Sequence, residues 1–209
     1  MLKIIRKAFL GSLIIASGLM LAQKTDAKAK NILDHVSSYY KSKKNTYFKF
    51  IFSSNHKRET GIFYNQGEKY KLKIMGVEQI YDGNKVYNIN GEEHEVTIAK
   101  SSDSEVMFSP LSYLESYKKG YSLQYLGKKT LAGKKVDLIK MIPTSNNGIK
   151  YVNLYIDSVR NHLVKLEQYT TDGGTSTIQI TKYVENQNLS SNLFHFNKAN
   201  YKNYLITEL

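Results

Sequence analysis

The 209-residue chain contains no cysteine and no tryptophan. Without cysteine there is no disulfide staple, no thiolate zinc site, no cysteine nucleophile, and no thioether to anchor the N-terminus in lipid. Stability must come from ordinary burial. Catalytic signatures are equally scarce. The five histidines, His35, His56, His94, His162 and His195, show no HExxH-type spacing, and there is no GxSxG elbow. The densest polar cluster, Glu92-Glu93-His94-Glu95, flanks a turn signal, where such residues are ordinarily solvated. Asp172-Gly173-Gly174-Thr175 is glycine-rich, but a phosphate loop needs a helix after it, and a hairpin turn explains the run. His195 alternates with Phe194 and Phe196 and reads as a strand surface position, while Asp34 and His35 read as the polar face of a helix. An enzyme would need distant polar groups to converge, His94 with Glu115 for example.

What is present begins with an export pattern. Lys3, Arg6 and Lys7 form a positive n-region, and residues 8–22 form an uncharged apolar stretch, too short for a comfortable membrane span. A signal peptide over residues 1–22 is expected. Cleavage after Ala22 and cleavage after Ala27 fit the small-residue rule about equally: Met20 weakens the first, and Thr25 supports the second. Residues 23–209 then form one domain, long enough for a real core. The formal charge is +12, of which the leader holds three positives. Export argues against nucleic acid as the partner of this basic surface; anionic headgroups or acidic protein surfaces suit it better.

Residues 28–43 carry Ile32, Leu33, Val36 and Tyr39 or Tyr40 at spacings of three and four, which predicts an amphipathic helix. From Asn45 the period becomes two. In TYFKFIF, Phe48, Phe50 and Phe52 share one face; in KYKLKI, Tyr70, Leu72 and Ile74 oppose three lysines. Asp82-Gly83 and Asn90-Gly91 mark hairpin turns. The alternation breaks over residues 101–120. There Val106, Met107 and Phe108 precede a short periodic run through Leu111 and Leu114, stopped at Gly120. Strands resume to the C-terminus, with YLITEL as one last short strand. About eleven strands cannot stay flat and predict a curled antiparallel sheet or barrel. The aromatic stripe Phe48, Phe50 and Phe52, extended by Tyr70, Leu72, Ile74, Val152, Leu154 and Ile156, is either core filling or the wall of an acyl-chain cavity. The segment Val106 to Tyr117 is its lid candidate.

Five stretches, AKNILDHVSSYYKSKKNTYFKFIF, GIFYNQGEKYKLKI, IYDGNKVYNIN, FSPLSYLESYKKGYSLQYLG and IKYVNLYIDSVRNHLVKLEQYTTDGG, resemble in order and spacing the periplasmic outer-membrane lipoprotein carrier family (LolA-like, Bacteroidetes-type). The resemblance implies an incomplete antiparallel β-barrel of about eleven strands with a helical lid and an N-terminal amphipathic helix. It implies a non-enzymatic periplasmic carrier, monomeric and without cofactor or metal, that binds the acyl chains of lipoproteins. Its partners would be acylated lipoproteins, an inner-membrane lipoprotein-release ABC complex and an outer-membrane lipoprotein acceptor. Phe48, Phe50, Phe52, Leu72 and Ile74 match the cavity wall; Met107, Leu111 and Leu114 match the lid region. One departure concerns the lid. Such carriers typically tie it with a first-strand arginine, whereas this strand has only Lys49, which is no bidentate donor. The same fold also serves as a lipoprotein-sensing module and as a carrier of other lipids.

Overall fold

A computed structural model describes residues 25–54, 57–100 and 111–209. The expected leader, residues 1–22, and the apolar triplet Val106, Met107 and Phe108 lie outside the described residues.

The strict alternation in TYFKFIF builds β1 (Thr46–Ser54), which buries Phe48 and Phe50 completely and leaves Lys49 in solvent. The same period makes β2 (Lys57–Gln66), β3 (Lys69–Ile74), β4 (Val77–Tyr81), β5 (Lys85–Asn90) and β6 (Glu95–Lys100), each antiparallel to the one before. After the break come β7 (Tyr121–Leu131), β8 (Lys134–Pro143), β9 (Ile149–Asp157), β10 (His162–Thr170) and β11 (Thr175–Glu185), a second antiparallel meander. Tight turns set the registers. Gly83, at φ 100°, closes the β4–β5 hairpin in a backbone region open mainly to glycine.

The two meanders join through β1 and β11, which are antiparallel, and a short strand β12 (Leu205–Glu208) runs parallel to β6. The result is one open twelve-stranded sheet in the order β12-β6-β5-β4-β3-β2-β1-β11-β10-β9-β8-β7. The sequence pattern predicts about eleven strands; the twelfth is the C-terminal strand that YLITEL suggested. The LFHF segment departs from its expected strand form. Ser191–Phe194 make a 3-10 turn capped by Ser190, because Phe194 is drawn into the protein while Phe196 stacks on Tyr87 at 4.7 Å.

Helix α1 (Ala27–Lys41) starts at Asp26, whose carboxylate accepts from the Lys28 and Ala29 amides. Its stripe Ala29, Leu33, Val36 and Tyr40 is buried, so Tyr40 rather than Tyr39 completes the apolar face. A second helix, α2 (Ser112–Ser116), is a little over one turn long. Eight neighbouring strands, from β3 round to β7, share one apolar cluster with both helices. Laid flat they would span about 34 Å at ~4.8 Å per neighbour, roughly three times the width of a helix of about 10–12 Å. The sheet therefore curls around α1 as an incomplete barrel. A smaller cluster of Ile80, Ile89 and Val96 is covered by Phe196, Tyr201, Tyr204 and Ile206 from the C-terminal segment. No helix among the described residues is long and apolar enough to cross a membrane.

Candidate functional site

Between α1, α2 and strands β2 to β4 lies a cavity of about 910 Å³, at the upper end of the roughly 300–1,000 Å³ typical of ligand pockets. Phe63, Tyr70 and Tyr81 form its sheet side, Tyr40 its α1 side, and Leu111 and Leu114 its α2 side. Lys41, Lys43, Glu68 and Glu115 also contribute. Alternation puts these side chains there: Phe63 pairs with Phe48 across β1–β2, and Tyr70 with Tyr81 across β3–β4.

The predicted site residues divide into groups. Leu111 and Leu114 line the cavity. Phe48, Phe50, Leu72 and Ile74 are buried in the apolar cluster that forms its wall. Phe48 stands 5.5 Å from Tyr40 and 6.2 Å from Phe63 between ring centroids, one layer behind the lining. Phe52 is partly buried and packs against the same cluster. Met107 lies outside the described residues. Phe63, Tyr81 and Tyr40 are cavity residues that the sequence does not assign to the site, Tyr40 being read there only as part of the helix stripe. Phe63 could have been found by pairing the alternation of GIFYN with that of TYFKFIF.

The wall is not wholly apolar. The Tyr70 hydroxyl donates to Gln79 Oε1 at 2.8 Å, and Gln79 Nε2 donates to Asn88 Oδ1 at 2.6 Å. Gln79 is almost fully buried, and such a group is tolerated because it is hydrogen-bonded. Burial pushes the Tyr70 hydroxyl up to about 12, so the whole row is neutral at physiological pH and supplies hydrogen bonds rather than acid–base chemistry. His94 and Glu115, the pair an enzyme would bring together, have separate surroundings: His94 packs on Tyr204 at 5.0 Å, and Glu115 lines the cavity. Among the described residues no group of three or more His, Asp or Glu side chains could hold a metal ion.

Two tyrosines secure α2. The Tyr117 hydroxyl, at its C-terminal end, donates to Asp34 Oδ1 on α1. The Tyr113 hydroxyl donates to Gln168 Oε1 on β10. Asp34 also pairs with Lys30 at 2.6 Å and Lys118 at 3.7 Å. The hydrogen bonds from Lys30 and Tyr117 hold its carboxyl below the usual value of 3.8, and burial together with the same carboxylate raises the Tyr117 hydroxyl. Lys49, the residue that stands on the first strand, points outward, so it takes no part in these contacts.

Beside the cavity, the Tyr40 hydroxyl accepts from the Leu163 amide at 2.8 Å, where the β9–β10 register slips between Leu163 and Lys165. His162 sits among Tyr39, Tyr40 and Tyr183, with ring centroids at 5.5, 6.4 and 4.4 Å. Its Nε2 is buried without a hydrogen-bond partner, and burial lowers its pKa.

The curled open sheet, the crossing helix and the cavity beneath a short second helix define an incomplete-barrel class of fold with room for a ligand. The family model for the outer membrane lipoprotein carrier protein LolA matches residues 76–197, more than half of the chain. The chain belongs to that family, whose members are carrier and binding proteins. The match begins after β3, so the Phe48, Phe50 and Phe52 stripe lies ahead of it. None of the curated proteins matches the sequence. Among solved structures, an uncharacterized conserved protein from Thermus thermophilus is similar, with a TM-score of 0.63, 11% identity, and coverage of 87% of this chain and 99% of that one. The MucA/MucB complex of Pseudomonas aeruginosa is similar with a TM-score of 0.54 and 14% identity, over 82% of this chain and 62% of the other.

Proposed function

We propose that the chain is an exported, soluble periplasmic carrier that binds the acyl chains of lipoproteins in the cavity beneath α2 and shuttles them from inner to outer membrane. It receives cargo from an inner-membrane ABC release complex and surrenders it to an outer-membrane acceptor, consuming no nucleotide itself. The observation that carries this reading is the cavity of about 910 Å³, bounded by Leu111 and Leu114 on a helix held to the rest of the protein by two tyrosine hydroxyls. Phe48, Phe50, Phe52, Leu72 and Ile74 would back the wall, with Met107 joining from the segment before α2.

Energetics fit such a role. Each buried methylene contributes about 0.8 kcal/mol, so an acyl chain outweighs the net ~0.5–1.5 kcal/mol of an ordinary hydrogen bond. Cargo would stay bound until α2 moves or an acceptor competes. A sensing role is the second reading: the fold is shared with MucB, known in complex with MucA. The chain spans 62% of the length of that MucB chain. Depletion followed by membrane fractionation separates the two roles. A carrier's loss leaves outer-membrane lipoproteins in the inner membrane; correct placement after depletion contradicts transport.

A further inference from the structure

The β7–β8 hairpin closes in a two-residue turn, Ala132-Gly133, with φ angles of 47° and 77°. Strand β9 pairs with β8 only from Asp137 to Met141, so the tip from Lys128 to Val136 runs on past its neighbour. Four exposed lysines stand on that tip: Lys128, Lys129, Lys134 and Lys135. Alternation puts Lys129, Leu131 and Lys134 on one face and Lys128 and Lys135 on the other, so each side of the hairpin presents two cations. No acidic residue lies between Glu115 and Asp137. Among the described residues none of the four lysines has an ion-pair partner. Asp137, at the base of the hairpin, is buried and accepts from the hydroxyls of Tyr125, at 2.7 Å, and Ser158.

Bare apolar side chains stand beside these cations. Val159, in the turn between β9 and β10, is 88% exposed, and Leu126, at the bulge that begins the tip, is 43% exposed. The Ser158–Asp137 contact holds the Val159 turn against the base of the hairpin. Unpaired lysines interspersed with exposed valine and leucine match a bilayer surface: the cations meet headgroup phosphates while the apolar side chains enter the interface. We propose that the β7–β8 tip and the β9–β10 turn form a docking surface for a bilayer rich in anionic phospholipid. Charge and exposure alone define this surface, so it stands whether or not the cavity holds acyl chains. Its position adds a consequence that does rest on the carrier reading. The strand pairings from β8 through β1 to β3 place the hairpin tip and the β2–β3 turn on the same rim of the sheet. Asn65, Gly67 and Glu68 of that turn line the cavity, so a bilayer held at this rim meets the end where the cavity reaches the surface.

The test is co-sedimentation of the chain starting at Gln23 with vesicles of phosphatidylcholine containing about 30% phosphatidylglycerol, against vesicles of phosphatidylcholine alone. Binding to the anionic vesicles only is expected at about 50 mM salt, with loss at about 500 mM as the charges are screened. Replacing Lys128, Lys129, Lys134 and Lys135 together by glutamine should keep the parent circular dichroism and weaken that binding at least about tenfold. The same change at Lys49, Lys57, Lys73 and Lys182, exposed lysines elsewhere on the sheet, removes equal charge and should leave binding near the parent level. Val159→Asp tests the apolar part separately and should weaken binding without moving the melting temperature. No binding of the parent to anionic vesicles at low salt overturns the proposal, and so does an equal loss in the two lysine variants, which would assign the effect to overall charge. Either result leaves the carrier reading to its own test with lipoproteins.

Discussion

The ring of Phe50 covers Gly61, its register partner across β1 and β2: a Cβ built on Gly61 would stand 2.2 Å from Phe50 Cζ and 2.5 Å from Cε2. Gly61 is not needed for an unusual backbone angle, since it is absent from the positive-φ residues. It is needed because the fully buried ring leaves no room for a methyl group. Gly61→Ala should therefore destabilise the protein by about 1–3 kcal/mol through overpacking, measured by urea denaturation. Adding Phe50→Leu should recover part of the loss; additive effects would show that the contact is not the cause.

Leu111 is the residue for probing the cavity. It lines the space and is nearly buried, whereas Phe50 is locked under β2 and a charge there would test folding first. Leu111→Asp should keep the circular dichroism of the parent and weaken binding of a labelled diacyl amphiphile at least about tenfold, because an unpaired carboxylate would face an apolar wall. Parent-level binding by the folded variant would place the ligand elsewhere.

The proposed carrier role makes the tyrosine contacts of α2 a test of how cargo is released. Tyr117→Phe removes a hydrogen bond to a carboxylate, and such bonds contribute about 1.5–3 kcal/mol when sheltered; Asp34 is about one-third exposed, so the lower end applies. With Tyr113→Phe added, ligand release in a stopped-flow assay should accelerate about tenfold or more. Unchanged release would mean that α2 is not the gate.

His162 predicts a pH dependence. Burial holds its pKa below the ordinary 6.5, so the unfolded chain binds a proton more readily than the folded one. Its contribution to stability is full above pH 6.5 and falls as pH drops below that value. The neighbouring carboxylates Asp157 and Glu185 titrate below 3.8 and 4.5 and lie outside this window. Denaturant midpoints at about pH 7.5 and 5.5 should therefore differ for the parent and converge in His162→Phe. An identical slope in the variant would assign the effect to another group.

The local half of this fold is readable from residue order. Period-two runs such as KYKLKI place Leu72 and Ile74 inward and lysines outward, and Asp82-Gly83 marks the β4–β5 hairpin, because strand alternation and turn chemistry act over a few residues. What joins distant parts is not readable. The pairing of β1 with β11 depends on which edges meet after collapse, and the parallel β12–β6 pair on where the C-terminal segment lands. The contacts Tyr117–Asp34 and Tyr40–Leu163 span 83 and 123 residues, and no motif encodes them. The aromatic stripe was visible as a stripe, yet its depth was not: Phe48 and Phe50 are buried behind residues such as Phe63 and Tyr70 that meet the cavity.

The central claim is that this protein holds acyl chains and gives them up. Native mass spectrometry of the chain starting at Gln23, mixed with a triacylated lipoprotein and then with outer-membrane vesicles, tests it most directly. The account predicts a soluble 1:1 complex that forms with the acylated lipoprotein, does not form with its delipidated version, and disappears on addition of the vesicles. A folded protein that forms no such complex, or one that binds both versions equally, would contradict it.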